Sequence, residues 1–182
     1  MLIHLIVAWL WAQPGADRVQ QQMKAIDTAL GVECVHCHVE DDWKNDAKPA
    51  FATARNMMKM VVAVNEELKD VGEVSCWTCH RGHEKPPRLP RPSLDGELAR
   101  WSADLPDRRK LAMAVYDVTL GVACDHCHVA DWKAPDKEPF RRVARMTALF
   151  DLFPKFMPEG TQTQCYMCHQ GARKPPRDRS PF

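Results

Sequence analysis

The sequence predicts a mostly α-helical chain with little or no sheet, built from two repeated halves, and three observations carry that prediction. Apolar residues recur at three- and four-residue spacing through the long segments, and no stretch alternates convincingly. Gly or Pro stands where those segments should stop. A Cys-x-x-Cys-His pattern occurs four times, and the residues between its copies repeat at a nearly constant offset.

Taken in order, Leu2, Ile3, Leu5, Ile6, Val7, Ala8, Trp9 and Leu10 form a short apolar run followed by Ala12-Gln13-Pro14-Gly15, the pattern of an export signal over residues 1–12. The run is too short to span a bilayer. From Asp17 to Leu30, Val19, Met23, Ile26 and Leu30 lie on one helical face, with Gly31 as the stop. A second helical pattern runs from about Pro49 to Lys69, with Met57, Met60, Val61, Val64 and Leu68 on one face. The stretch Arg81 to Pro92 holds four prolines, which lack amide donors and favour extended backbone, so it reads as a linker.

The second half repeats the first. Met23 pairs with Met113, Leu30-Gly31-Val32 with Leu120-Gly121-Val122, and Cys34 with Cys124, all at an offset of 90. After a one-residue deletion the offset is 89, pairing Trp43 with Trp132, Phe51 with Phe140, Met57 with Met146 and Cys76 with Cys165. The expected organisation is one module over residues 13–92, including the Pro-rich linker, and a second over residues 93–182. The longer helix of the second module should stop near Phe153, because Pro154 disfavours helical geometry at the residue before it.

All eight cysteines fall in the four motifs: Cys34 and Cys37 before His38, Cys76 and Cys79 before His80, Cys124 and Cys127 before His128, and Cys165 and Cys168 before His169. A lone Cys-x-x-Cys suits zinc, a disulfide or a redox dithiol. With His directly after every second Cys, the pattern is that of c-type haem attachment: the thiols add to the haem vinyl groups and the His becomes the proximal iron ligand. Four motifs imply four covalent haems and a multihaem c-type cytochrome.

Twenty-five Lys and Arg against 24 Asp and Glu give no nucleic-acid signature. A 182-residue chain surrounding four macrocycles has little apolar material to spare, so the haems themselves should supply much of the core. Haem attachment points to the periplasm or the outer face of the cytoplasmic membrane.

Function turns on the sixth iron position, since a filled site suits a carrier and an open one suits chemistry. Met23 lies 15 residues before His38 and Met113 lies 15 before His128, while Met57 and Met146 each lie 23 before His80 and His169. A single Met on an apolar face ordinarily fills core, but the repeated spacing makes these four the expected distal ligands. Met58 and Met60 pair with Thr147 and Leu149, so they read as packing residues. His36 and His126 are the competing ligands, each able to serve only a neighbouring haem. His83, matched by Ala172, reads as a surface residue, and Trp43 and Trp132 as packing residues.

The combination resembles the cytochrome c subunit family of photosynthetic reaction centres. The residues that carry it are Met23, Leu30-Gly31-Val32 into Cys34 to His38, Ala54-Arg55-Asn56-Met57, and Cys76 to Gly82, repeated at Met113, Leu120 to His128, Met146 and Cys165 to Gly171. The resemblance implies an electron carrier that docks on redox proteins, among them a membrane-bound reaction centre or another high-potential oxidant. The family's well-known members are longer and give one haem a distant His, where this chain offers Met146. The alternatives are a multihaem reductase or peroxidase with an open haem site, or a bis-His carrier using His36 and His126.

Overall fold

The computed structural model describes residues 14–100 and 107–176, so the expected export signal over residues 1–12 lies outside the described residues. Within them the chain forms helices α1 (Pro14–Leu30), α2 (Cys34–Cys37), α3 (Pro49–Glu67), α4 (Cys76–His80), α5 (Arg91–Leu98), α6 (Asp107–Leu120), α7 (Glu138–Leu152) and α8 (Tyr166–His169), with 3-10 turns at Cys124–His126 and Phe153–Lys155. There is no strand among the described residues, and Val39 and Asp42 form an isolated bridge. None of these helices is long and apolar enough to cross a membrane.

Local chemistry sets the ends. Helix α1 stops because Gly31 turns left-handed at φ +66, and the Asp27 carbonyl accepts both Gly31 N, at 2.8 Å, and Val32 N, at 3.1 Å. Pro49 opens α3 in its first turn, where the missing N–H is no loss. Helix α7 ends at Leu152, and Pro154 sits in the 3-10 turn that follows. Asn65 holds the connection after α3 by donating Nδ2 to the Val74 carbonyl at 3.1 Å and accepting Val74 N at 2.8 Å.

One expectation is corrected here. The linker does not run unstructured to Pro92: α5 begins at Arg91. Pro92 falls in the first helical turn, where its fixed φ favours the helix. The division expected after residue 92 therefore lies inside α5, which buries Leu94 and packs against α6.

The core is thin, as the sequence implied. Val64, Leu68 and Leu149 form a buried cluster where α3 meets α7, flanked by half-buried Met60, Met146, Leu152 and Phe153. Arg145 crosses this contact, donating to the Glu67 carbonyl at 2.6 Å and lying 3.7 Å from Asp70. Elsewhere among the described residues, the buried positions are Ala29, Thr78, Leu94, Ala114 and Thr119. Helix α1 packs against α4, α6 against α8, and α4 against α8, while α2 packs against α3 and α1, so the first, second and fourth Cys-x-x-Cys-His segments lie at helix junctions.

Candidate haem-binding motifs

Each motif closes on a short helix or 3-10 turn, and the chain then doubles back so that a carbonyl meets the motif's own histidine. His38 Nδ1 lies 2.7 Å from the Trp43 carbonyl, His80 Nδ1 2.9 Å from that of His83, His128 Nδ1 3.0 Å from that of Trp132, and His169 Nδ1 3.0 Å from that of Ala172. A carbonyl only accepts, so in each case Nδ1 carries the proton and donates it. The Nε2 lone pair is left for a metal, the arrangement by which proteins orient ligating histidines. Phe51 meets the His38 ring edge-on at 5.3 Å, and Phe140 does the same for His128 at 5.3 Å. Burial lowers the pKa of His169, favouring the neutral ligand form, and the nearby Arg81 charge acts in the same direction against opposing backbone hydrogen bonds.

The third motif offers the most complete cavity. Met113, Tyr116, Asp117, Cys124, Cys127 and His128 line one space of about 290 Å³ together with Phe140 and Val143. Both expected thiols, the expected proximal His and the expected distal Met therefore border a common space with mostly apolar lining, a donor set whose chemistry suits a c-type haem. At the first motif, Asp27, Val32, Glu33, Cys34 and Val35 line an open hollow that includes neither Met23 nor His38.

Two carboxylates that sequence reasoning missed attend the first thiol of motifs one and three. Cys34 Sγ donates to Asp27 Oδ2 at 3.2 Å, and Cys124 Sγ to Asp117 Oδ2 at 4.0 Å. The Asp27 bond and charge raise the Cys34 pKa, while at Cys124 burial leads and Asp117 adds to it. Asp117 itself is pushed up to about 6, by burial first and the charge of Glu97 second. Both aspartates stand at the repeat offset of 90, the signal that would have found them. Lys48 and Lys137 are likewise matched, each donating its ammonium to a carbonyl inside the nearby motif, Val35 and Asp125 respectively.

Motifs two and four meet each other. Arg81 and Gln170, the residues directly after His80 and His169, are both left-handed, at φ 49 and 47, and reach across reciprocally. Arg81 donates to the Cys168 carbonyl at 2.6 Å and to Gln170 Oε1 at 2.9 Å, and Gln170 Nε2 returns to the Cys79 carbonyl at 3.3 Å. The second cysteines of the two motifs, Cys79 and Cys168, form a disulfide in this fold. A sulfur so bonded carries no thioether, so haem attachment through Cys79 or Cys168 requires these sulfurs to be apart.

The remaining candidates are placed unevenly. Met23, Met57, Met113 and Met146 are all half-buried, and Met146 packs against the α3–α7 cluster. Met60 packs against the same cluster as expected, but Met58 is exposed. His36 Nε2 lies 3.9 Å from Glu84. Trp43 and Trp132 are 52% and 55% exposed, yet each packs its ring against its motif histidine, with centroids 5.8 Å from His38 and 5.1 Å from His128, and each also gives that histidine a backbone carbonyl. His83 is exposed, yet its carbonyl serves His80 as that of Ala172 serves His169.

Comparison with known families bears on the first half of the chain. The family model described as the photosynthetic reaction centre cytochrome C subunit matches residues 12–91, a span that takes in the first two motifs together with Met23 and Met57. Members of such a family carry electrons on covalently bound c-type haem. Over residues 12–91 the chain is therefore similar to the photosynthetic reaction centre cytochrome c subunit family, and the helical fold of that segment agrees with the likeness.

Proposed function

We propose that the chain is an exported tetrahaem electron carrier made of two dihaem modules, one on each side of the Pro-rich segment. The observation that carries this reading is the Nδ1-to-carbonyl bond repeated at His38, His80, His128 and His169, which leaves four Nε2 atoms poised as metal ligands. In this reading the eight cysteines hold the macrocycles covalently, the four histidines are proximal ligands, and Met23, Met57, Met113 and Met146 are distal ligands. A bound haem iron supplies reversible one-electron exchange between Fe(II) and Fe(III). Thioether ligation favours Fe(II) and suits a donor to a strong oxidant, such as a photosynthetic reaction centre.

The packing suggests the route between modules. Motif one is tied to motif two through α1 and α4, motif three to motif four through α6 and α8, and motifs two and four touch directly through α4 and α8. Electrons then pass from one module to the other between the second and fourth motifs. With every sixth position filled from the chain, the protein is a carrier and not an enzyme. The thin polypeptide core makes the haems part of the fold, so removing them should unfold the chain.

Mass spectrometry of the denatured holoprotein tests this directly. Four haems should be retained, and two or fewer would refute the tandem reading. Cell fractionation should find the loaded chain in the periplasm or on the outer face of the cytoplasmic membrane, and a loaded cytoplasmic pool would contradict export.

A further inference from the structure

We propose that the Cys79–Cys168 disulfide is a redox-controlled clasp: closed, it locks the second and fourth motifs together and confines haem attachment to the first and third; opened by a dithiol, it releases both sulfurs. This rests on the reading of the Cys-x-x-Cys-His motifs as haem attachment sites.

The bond joins equivalent positions of the two halves, 89 residues apart, each the second cysteine of its motif. The side chains around it reach across reciprocally to the same two residues. Arg81, two residues after Cys79, donates Nη2 to the Cys168 carbonyl at 2.6 Å, and Gln170, two residues after Cys168, donates Nε2 to the Cys79 carbonyl at 3.3 Å. Arg81 Nη1 closes the ring by donating to Gln170 Oε1 at 2.9 Å. Leu89 N adds a bond to Gln164 Oε1 at 3.1 Å, tying the Pro-rich segment to the approach to motif four. The backbone of both cysteines is thus held at the junction by hydrogen bonds as well as by the disulfide. A sulfur in a disulfide has no thiol to add to a vinyl group, so motifs two and four as folded here do not fit a c-type haem.

Motifs one and three are set apart from this chemistry. Cys34, Cys37, Cys124 and Cys127 are outside any disulfide, and hollows lie against Cys34 and against Cys124 with Cys127. Asp27 at Cys34, and burial with Asp117 at Cys124, raise the thiol pKa and hold the proton, whereas disulfide exchange needs the thiolate. The matching positions, seven residues before Cys76 and Cys165, are Lys69 and Pro158, which offer no carboxylate.

Cys79 and Cys168 are half-buried, so a small reagent can reach the bond. A dithiol attacks one sulfur as its thiolate and the S–S bond breaks. Two electrons and two protons pass to Cys79 and Cys168, which become thiols, and the dithiol leaves as a disulfide. A disulfide oxidant runs the exchange in reverse, taking up two electrons and leaving as two thiols. An exported chain meets the oxidising surroundings in which such a bond persists.

The experiment counts haems by mass and maps peptides under non-reducing conditions, on full chain made in cells that attach c-type haem and alkylated at harvest. With dithiothreitol in the medium the chain should carry four haems and no cross-link. Two or fewer in that arm refutes the haem reading, and the clasp falls with it. With oxidised glutathione instead, newly made chain should carry two haems, on the peptides holding Cys34 with Cys37 and Cys124 with Cys127, and the Cys79–Cys168 cross-link in the same molecules. Gln170→Ala removes both side-chain bonds that Gln170 makes across the junction and touches no sulfur, so it should lower the cross-linked fraction several-fold at the same oxidant level. Arg81→Ala makes the same test if Gln170→Ala does not accumulate. Four haems in the oxidant arm, two-haem molecules without the cross-link, or cross-linked molecules with haem on the Cys76 or Cys165 peptide each overturn the proposal.

Discussion

Gly31 and Gly82 meet backbone against backbone: a Cβ on Gly31 would lie 2.1 Å from the Gly82 carbonyl oxygen, and Gly82 N donates to the Ala29 carbonyl at 2.7 Å. The contact recurs at Gly121 and Gly171, where a Cβ would lie 2.2 Å from the carbonyl oxygen and Gly171 N donates to Thr119 at 2.8 Å. It joins the end of the helix before one motif to the turn that closes the next, which explains why each closing motif reads Cys-x-x-Cys-His-x-Gly.

Gly31→Ala should therefore be costly. The residue is at φ +66 and has no room for a methyl group, so left-handed strain and overpacking together should remove about 2–5 kcal/mol. Gly96→Ala, inside α5 with nothing within 4 Å, should be neutral or stabilise by roughly 0.5–1 kcal/mol. Denaturant titration of the loaded protein compares the two, and equal midpoints would show that the Gly31 contact does not matter.

Loaded protein should lack the Cys79–Cys168 disulfide. A thiol adds across a haem vinyl group without change of oxidation state, but a sulfur already bonded to another sulfur has no such thiol to give. A peptide map under non-reducing conditions should find haem on peptides containing Cys76 with Cys79 and Cys165 with Cys168. A cross-link between Cys79 and Cys168 in molecules carrying four haems would end the thioether assignment at those two sulfurs.

Carbon monoxide tests the sixth ligands. Ferrous wild-type protein should leave its spectrum nearly unchanged on exposure, whereas Met113→Ala should admit one equivalent and lower one midpoint, because a thioether that favours Fe(II) is gone. Met58→Leu should do neither, since Met58 is exposed on α3. Stoichiometric binding by the unaltered chain would point to an open site and to the enzyme reading.

Stability should fall as pH rises through the range set by Asp117. Its folded pKa is pushed up to about 6 from 3.8, so between those values the native state binds more protons than the unfolded state. The effect is present in full above the upper value and absent below the lower one. It should amount to on the order of 1–2 kcal/mol once solvent screening of this half-buried carboxyl is allowed for. Asp117→Asn should flatten the profile in denaturant titrations from pH 4 to 7, and an unaltered slope would assign the dependence to other groups.

The helical class, the ends of α1 and α7, the pairing of residues at offsets of 90 and 89, and the family resemblance that the match over residues 12–91 supports are all legible in the residues alone. These are legible because periodicity, Gly and Pro act locally, and because a His directly after the second Cys of a pair is a chemical requirement of haem attachment. Helix α5 escaped notice because Pro92 looks like a breaker until its place in a first turn is known. What backbone atoms do and which motifs meet depend on the folded arrangement. The carbonyls of Trp43, His83, Trp132 and Ala172 serve histidines regardless of the side chains that follow them, so residue identity at 83 and 172 carried no trace of a shared role. Nor could spacing show that Arg81 reaches Cys168, 87 residues away, since that contact depends on two left-handed turns and the packing of α4 on α8.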